Sequence, residues 1–166
     1  MDVVVPIVFP DYLIRAFPDV RVPTPFGPYV LRGKLPDLGH AGVLFFLGTS
    51  GLTKYYEYGR YDAAQRGLVR NRTIPDVRID RTTGKPDPDS LKRVLKSIAT
   101  QAGQGGRIAG AYIEVSGGFE PALEFVKARM NENSNPDRTP YALLTHSCLH
   151  FMRDTAIAAG ASMPYV

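Results

Sequence analysis

Gly39-His40-Ala41-Gly42-Val43-Leu44-Phe45-Phe46-Leu47-Gly48-Thr49-Ser50-Gly51-Leu52-Thr53-Lys54-Tyr55-Tyr56-Glu57-Tyr58-Gly59-Arg60-Tyr61 is the stretch from which the rest of the chain can be read. Two strand-type runs, 42–47 and 52–61, flank a short glycine-bounded turn, the pattern of a β-hairpin. If Gly48 faces Gly51, His40 lies opposite Gly59 and shares a face with Tyr55, Glu57 and Tyr61. Glu57 is then the diagonal neighbour of His40. A carboxylate there can hold an imidazole in one tautomer, the orienting role an acid plays in catalytic triads. The alternative is an exposed strand glutamate without a chemical role.

A hundred residues downstream, Thr145-His146-Ser147-Cys148-Leu149-His150-Phe151 carries the single cysteine of the chain. It stands where a turn-rich stretch gives way to an apolar run of helical type that ends near Gly160. A thiol in the first helical turn faces free backbone N–H groups and the positive end of the helix dipole, both of which favour the thiolate. His40 on the upstream strand can take its proton. The competing reading is a small, inert, buried apolar residue. His146 and His150 are also candidate bases, but each lies two residues from Cys148, about 200° around an ideal helix. The same spacing argues against a metal site built from these three residues.

Outward from these two motifs the chain reads as one domain, residues 1–166. Residues 1–38 hold seven prolines, Pro6, Pro10, Pro18, Pro23, Pro25, Pro28 and Pro36, and are expected to be extended, with strand-like pieces at 3–9 and 29–32. Residues 39–160 are expected to form the catalytic core. A third strand is expected at 68–79, bent or at an edge because of Pro75. Asp87 or Asp89 can cap a helix over 90–101 whose apolar face is Leu91, Val94, Leu95 and Ile98. Gly103 to Gly106 stop that helix; they lack the Lys-Ser/Thr of a phosphate loop. A strand at 108–116 and a helix at 121–131, burying Leu123, Phe125, Val126 and Met130, precede the cysteine-bearing helix.

Composition narrows the function classes. The 166 residues are 44% hydrophobic and 22% charged, ordinary values for a globular protein. The longest clean apolar run, 42–47, is far short of the roughly 20 residues of a spanning helix. The N-terminus is apolar but has no basic leader and is interrupted by Pro6 and Pro10, so no secretory signal is expected and export would need a dedicated machine. With one cysteine the fold requires no intramolecular disulfide. Twenty basic against sixteen acidic residues give a net charge of +4, suited to an anionic wall or membrane surface. Arg70, Arg72, Arg78 and Arg81 alternate with apolar residues and read as a solvated strand face. No aromatic-and-basic pattern of an RNA-binding domain is present, so no nucleic-acid partner is expected.

The order of these parts, histidine strand, polar-partner strand, helices, then a helix headed by cysteine, is the reverse of papain. It resembles the circularly permuted branch of the papain-like, NlpC-type superfamily, which includes lecithin:retinol acyltransferase-like proteins and bacterial toxins. The motifs that carry the resemblance are Gly39-His40-Ala41-Gly42-Val43 and Ser147-Cys148-Leu149-His150-Phe151. Ser147 departs from the asparagine common before the cysteine, and Glu57 stands where that branch commonly has a second histidine. The resemblance implies an α+β fold with an antiparallel sheet packed on helices and the catalytic cysteine opening the last helix. It implies a hydrolase without cofactor or metal, in which Cys148 attacks, His40 moves the proton, Glu57 orients His40 and the Cys148 backbone N–H holds the oxyanion. The expected substrate is a cell-wall peptide stem, cleaved by a secreted antibacterial effector that acts in the target envelope. Secretion machinery and a cognate immunity protein are the expected partners. A phospholipase or acyltransferase acting on membrane lipid is the alternative, and a non-catalytic interaction domain is a third.

Overall fold

In the computed structural model, which describes residues 1–15, 20–31, 34–35 and 39–165, the chain runs β1 (Asp2–Phe9), β2 (Ile14–Arg15), β3 (Val20–Val22), β4 (Tyr29–Leu31), β5 (Lys34–Leu35), β6 (His40–Phe46), β7 (Thr53–Gly59) and β8 (Leu68–Asn71). It continues through α1 (Pro88–Gln101), β9 (Ala109–Gly110), β10 (Ile113–Val115), α2 (Phe119–Asn131) and α3 (Cys148–Ala158). The main sheet has the order β10-β1-β6-β7-β8, with β9 also on β1, and every pairing in it is antiparallel. The fold is α+β. Pro18, Arg32 and Pro36, parts of the expected proline-rich extension, lie outside the described residues.

The hairpin forms in the register its turn dictates: Gly42 pairs with Glu57, Val43 with Tyr56 and Leu44 with Tyr55. Strands alternate faces, and here both faces are covered. Ala41, Val43, Phe45, Tyr56 and Tyr58 pack with Phe119, Val126 and Phe151 of α2 and α3. Leu44, Phe46 and Tyr55 pack with Val94 and Ile98 of α1 on the other side. Helix α1 begins two residues before the expected start because Asp87 caps it, accepting from the Ser90 N–H at 2.8 Å, and Pro88 fits the first turn, where no N–H is needed. Helix α2 likewise starts early, at Phe119.

Residues 1–38 are not all peripheral to the core, as the proline pattern suggests. Strand β1 lies between β10 and β6 and buries Val3, Val4, Val5, Ile7 and Phe9. Each such side chain contributes roughly 1.5–3 kcal/mol, which outweighs the roughly 1 kcal/mol of the ladder bond that Pro6 cannot make. Pro6 also explains a second correction. The expected strand at 108–116 is split into β9 and β10, because the Pro6 carbonyl accepts from Ala111 N–H at 3.2 Å but its nitrogen has no hydrogen to return. A third correction concerns 68–79, where the strand ends at Asn71. Beyond Pro75 the chain docks on the hairpin by other means, with Val77 N–H donating to Thr53 Oγ1 at 2.9 Å and Thr53 N–H to Asp76 Oδ1 at 2.8 Å.

Two glycines of the hairpin make room for aromatic rings. A Cβ on Gly42 would meet the phenol of Tyr55, and one on Gly59 would meet the ring of Tyr61. Both tyrosines therefore lie flat across a strand position that has no side chain. Substituting Gly42→Ala forces Tyr55 out of this seat; the expected cost is about 1–3 kcal/mol, read as a lowered urea midpoint at unchanged slope. A midpoint within error of wild type would show that the Tyr55 ring is not confined there.

Candidate active site

Glu57 is fully buried, and its surroundings show why a carboxylate is tolerated there. Oε1 accepts from Arg70 Nε at 2.5 Å and Arg72 Nε at 3.2 Å. Oε2 accepts from the Tyr55 hydroxyl at 3.2 Å and faces His40 Nε2 at 3.1 Å. Burial pushes the carboxyl up, but the His40 hydrogen bond and charge, followed by Arg70, outweigh it and hold Glu57 below its ordinary value. Arg70 sits directly opposite Glu57 in the β7–β8 register and also covers the Tyr61 ring, its guanidinium carbon 3.3 Å from the centroid. The arginines at 70 and 72 are thus not the solvated face that their alternation with apolar residues suggests.

An ionised carboxylate only accepts, so Nε2 is the protonated nitrogen of His40 and Nδ1 remains for the thiol. The Tyr61 hydroxyl lies 2.7 Å from the same Nε2, and the Tyr12 ring tilts over the imidazole with centroids 4.8 Å apart. Burial pulls the pKa of His40 down, but the neighbouring Cys148 thiolate and the Glu57 carboxylate reverse the shift, and the net direction is up. For Cys148 burial pushes up, while the His40 bond and charge, the Tyr141 hydroxyl and the Ala41 N–H pull down; the net direction is down. The two shifts favour the thiolate–imidazolium pair.

Cys148 is the first residue of α3 and packs on the α2–α3 side of the sheet. His40 has the parity of Leu44 and Phe46, which face α1. Histidine and cysteine come from opposite faces and meet past the end of the sheet, where Phe9–His40 is the last β1–β6 rung. The two neighbouring histidines turn elsewhere. His150 Nδ1 accepts from Ser147 N–H at 3.4 Å and lies 2.9 Å from Ser147 Oγ, which caps the helix. His146 Nε2 is 3.1 Å from Arg129, which can only donate, so the histidine accepts; burial and then that cation lower its pKa. Among the described residues no group of three or more His, Cys, Asp or Glu side chains is placed to hold a metal ion.

Several residues at the site carry no signal in the sequence motifs. The Tyr141 hydroxyl is 3.7 Å from Cys148 Sγ, brought there by a tight turn in which Ala142 and His146 exchange backbone bonds at 3.0 and 2.8 Å. Burial and the neighbouring thiolate push the Tyr141 phenol well up, so it stays a donor. Tyr61 differs, because it shares the hairpin face that the register assigns to Glu57, and that parity is its signal. Arg70 and Tyr12 have none, since each depends on a neighbour in another element, and Tyr141, seven residues before Cys148, is set by the turn and by its N–H donating to the Arg66 carbonyl at 2.7 Å.

A groove with two arms runs over the pair. One arm is lined by Phe9, Asp11, His40, Arg107, Cys148 and Leu149. The other is lined by Tyr12, His40, Arg60, Tyr61, Tyr141 and Leu143. Leu13 borders both, pinned by Gln104, whose side chain bonds both the N–H and the carbonyl of Leu13 at 3.0 and 3.2 Å.

A mixed, antiparallel α+β domain with this polar centre falls in a known class. The model of the type VI secretion system effector TseH-like family matches residues 4–164, and the chain belongs to that family of secreted effectors. It is similar to the type VI secretion system effector TseH, whose crystal structure aligns with a TM-score of 0.77 at 36% identity over 98% of this chain and 80% of that one. No curated protein sequence matches the chain.

The opposed shifts of His40 and Cys148 have a readable sign. The thiolate is present below the pH at which an ordinary cysteine ionises, so alkylation of Cys148 by iodoacetamide should reach half its maximal rate at a pH below that of a free thiol. In His40→Ala the largest pull on the thiolate is gone and burial remains, so the midpoint should move up. Intact-mass kinetics across pH measure both, and a wild-type midpoint at or above that of a free thiol would break the assignment.

Proposed function

We propose that this effector is a cysteine hydrolase of permuted papain-like architecture that cleaves amide bonds in the peptide stems of the bacterial cell wall. The observation that carries the reading is the chain Cys148–His40–Glu57, with both pKa shifts directed toward a thiolate and an imidazolium. In the reaction, Cys148 Sγ adds to the amide carbonyl carbon. The oxyanion is met by the Cys148 backbone N–H at the start of α3 and by the Tyr141 hydroxyl. The tetrahedral adduct collapses as the imidazolium of His40 gives its proton to the departing nitrogen, which leaves a thioester and a free amine. Water, deprotonated by His40, then attacks the thioester and releases the carboxylic acid, and the thiolate–imidazolium pair is restored. Glu57 keeps Nε2 protonated throughout and stabilises the cation.

The charged and hydrogen-bonding lining of both arms favours a polar chain that crosses the site over an acyl tail. Membership of a secreted-effector family supports action in the envelope of a target cell and protection of the producer by an immunity protein. The ester alternative, hydrolysis of a membrane lipid, draws support from the rim, where Leu13, Leu143 and Leu149 are exposed.

Periplasm-directed expression of wild type and Cys148→Ala, followed by mass analysis of cell-wall fragments and phospholipids, separates these outcomes. New stem-peptide cleavage products with wild type alone are expected; lysophospholipid with an intact wall would replace the amidase with the lipase, and no change in either would revive the interaction domain. Loss of the base in His40→Ala should lower the rate by roughly 10²–10⁴, and Glu57→Gln by less, with Cys148→Ala inactive.

A further inference from the structure

The two arms of the groove differ in charge. In the first, Arg107 is neutralised, with Nε and Nη2 donating to both oxygens of Asp11 at 2.7 to 3.1 Å. That pairing, chiefly the Arg107 side-chain bond, holds the Asp11 carboxyl down to about 2, so Asp11 is ionised and opposes the Arg107 charge across the physiological range. In the second arm Arg60 is exposed and has no carboxylate partner among the described residues. Of the arginines around it, Arg70 and Arg72 are engaged by Glu57 and Arg138 by Asp62.

Arg60 is nonetheless held. Its guanidinium carbon lies 5.0 Å from the centroid of the Tyr141 ring, and the hydroxyl of that ring is the one beside Cys148 Sγ. A stacked guanidinium keeps its edge free to donate two parallel hydrogen bonds. Gln104, which also lines this arm, is occupied by the Leu13 backbone, and the Tyr61 hydroxyl is occupied by His40. The arm therefore offers one unneutralised, pre-oriented donor, and it shares a phenol ring with the nucleophile.

We propose that the arm formed by Gly59, Arg60, Tyr61 and Tyr141 is an anion subsite, in which Arg60 binds a carboxylate of the substrate close to the carbonyl that Cys148 attacks. The inference rests on Cys148 being the nucleophile, and it narrows the substrate to acyl compounds carrying an acidic group on the Arg60 side. Neutral chains of the same length lose that contact.

Paired alkylating probes test this without knowledge of the natural substrate. N-iodoacetylglycine and N-iodoacetylglycinamide differ only in a carboxylate against an amide, and each reports the rate of Cys148 modification by intact mass. The ratio of the two rates, normalised to that for 2-mercaptoethanol, cancels any change in thiolate content. Wild type should prefer the acid. Arg60→Ala should lower the ratio by roughly three- to fivefold, the worth of one partly exposed charge pair, and Arg60→Lys should keep most of it. Added salt should erode the wild-type preference. A ratio that is the same in Arg60→Ala and wild type, with the amide probe still reacting quickly, would overturn the subsite and leave the nucleophile standing. Failure of wild type to react quickly with either probe would instead remove the nucleophile and the subsite with it.

Discussion

One buried carboxylate organises this molecule. Removing Glu57 from water costs several kcal/mol, a penalty only close partners can offset, and the fold supplies two guanidinium groups, a phenol and an imidazole. Each partner comes from a different place in the chain or from a different strand position. Meeting the carboxylate's demands therefore fixes the register of β7 against β8, the seat of Tyr55 over Gly42, and the orientation of His40. Arg70 adds a further tie, because it binds Glu57 while lying on Tyr61, the second hydroxyl-bearing ring at the cluster and the one that reaches His40 Nε2.

The rigidity of that network contrasts with the groove above it. Behind His40 the carboxylate and its donors form a closed hydrogen-bonded cluster, whereas in front the groove is open and bordered by Leu13, Arg60, Arg107 and Leu149. An imidazole held from behind and approachable on one side is not reoriented by solvent, which is the preorganisation that the proposed acyl transfer requires. Arg107 is paired with Asp11, whereas Arg60 has no carboxylate partner among the described residues, and this makes the two arms chemically unlike. Membership of the TseH-like effector family gives this site its setting, a protein built for delivery.

Much of the candidate site is legible in the amino-acid order. The turn at Gly48 to Gly51 fixes which residues of 52–61 share a face with His40, and that parity alone brings Glu57 and Tyr61 to it. Ser147 and the apolar run after it place Cys148 in a first helical turn. The arginine-bearing strand β8 is misleading because opposite charges facing one another across a ladder look, in sequence, like alternation toward water. Strand β1 misleads for a similar reason: Pro6 and Pro10 signal an extended edge, yet one missing N–H is tolerable when five apolar side chains are buried around it.

The sequence by itself determined the local quantities of this protein: strand and helix type, hairpin parity, helix caps, and the presence of one thiol and one distant histidine. These follow from periods of two and of 3.6 residues and from turn chemistry, all of which act over a few neighbours. Only the tertiary structure decided that His40 and Cys148, on opposite faces of the sheet, meet beyond its end; that Tyr141 reaches the sulphur; and that Arg107 pairs with Asp11 while Arg60 has no carboxylate partner among the described residues. Those outcomes depend on how three layers stack and where loops close. Contacts between residues a hundred positions apart are set by that packing, which no local pattern encodes.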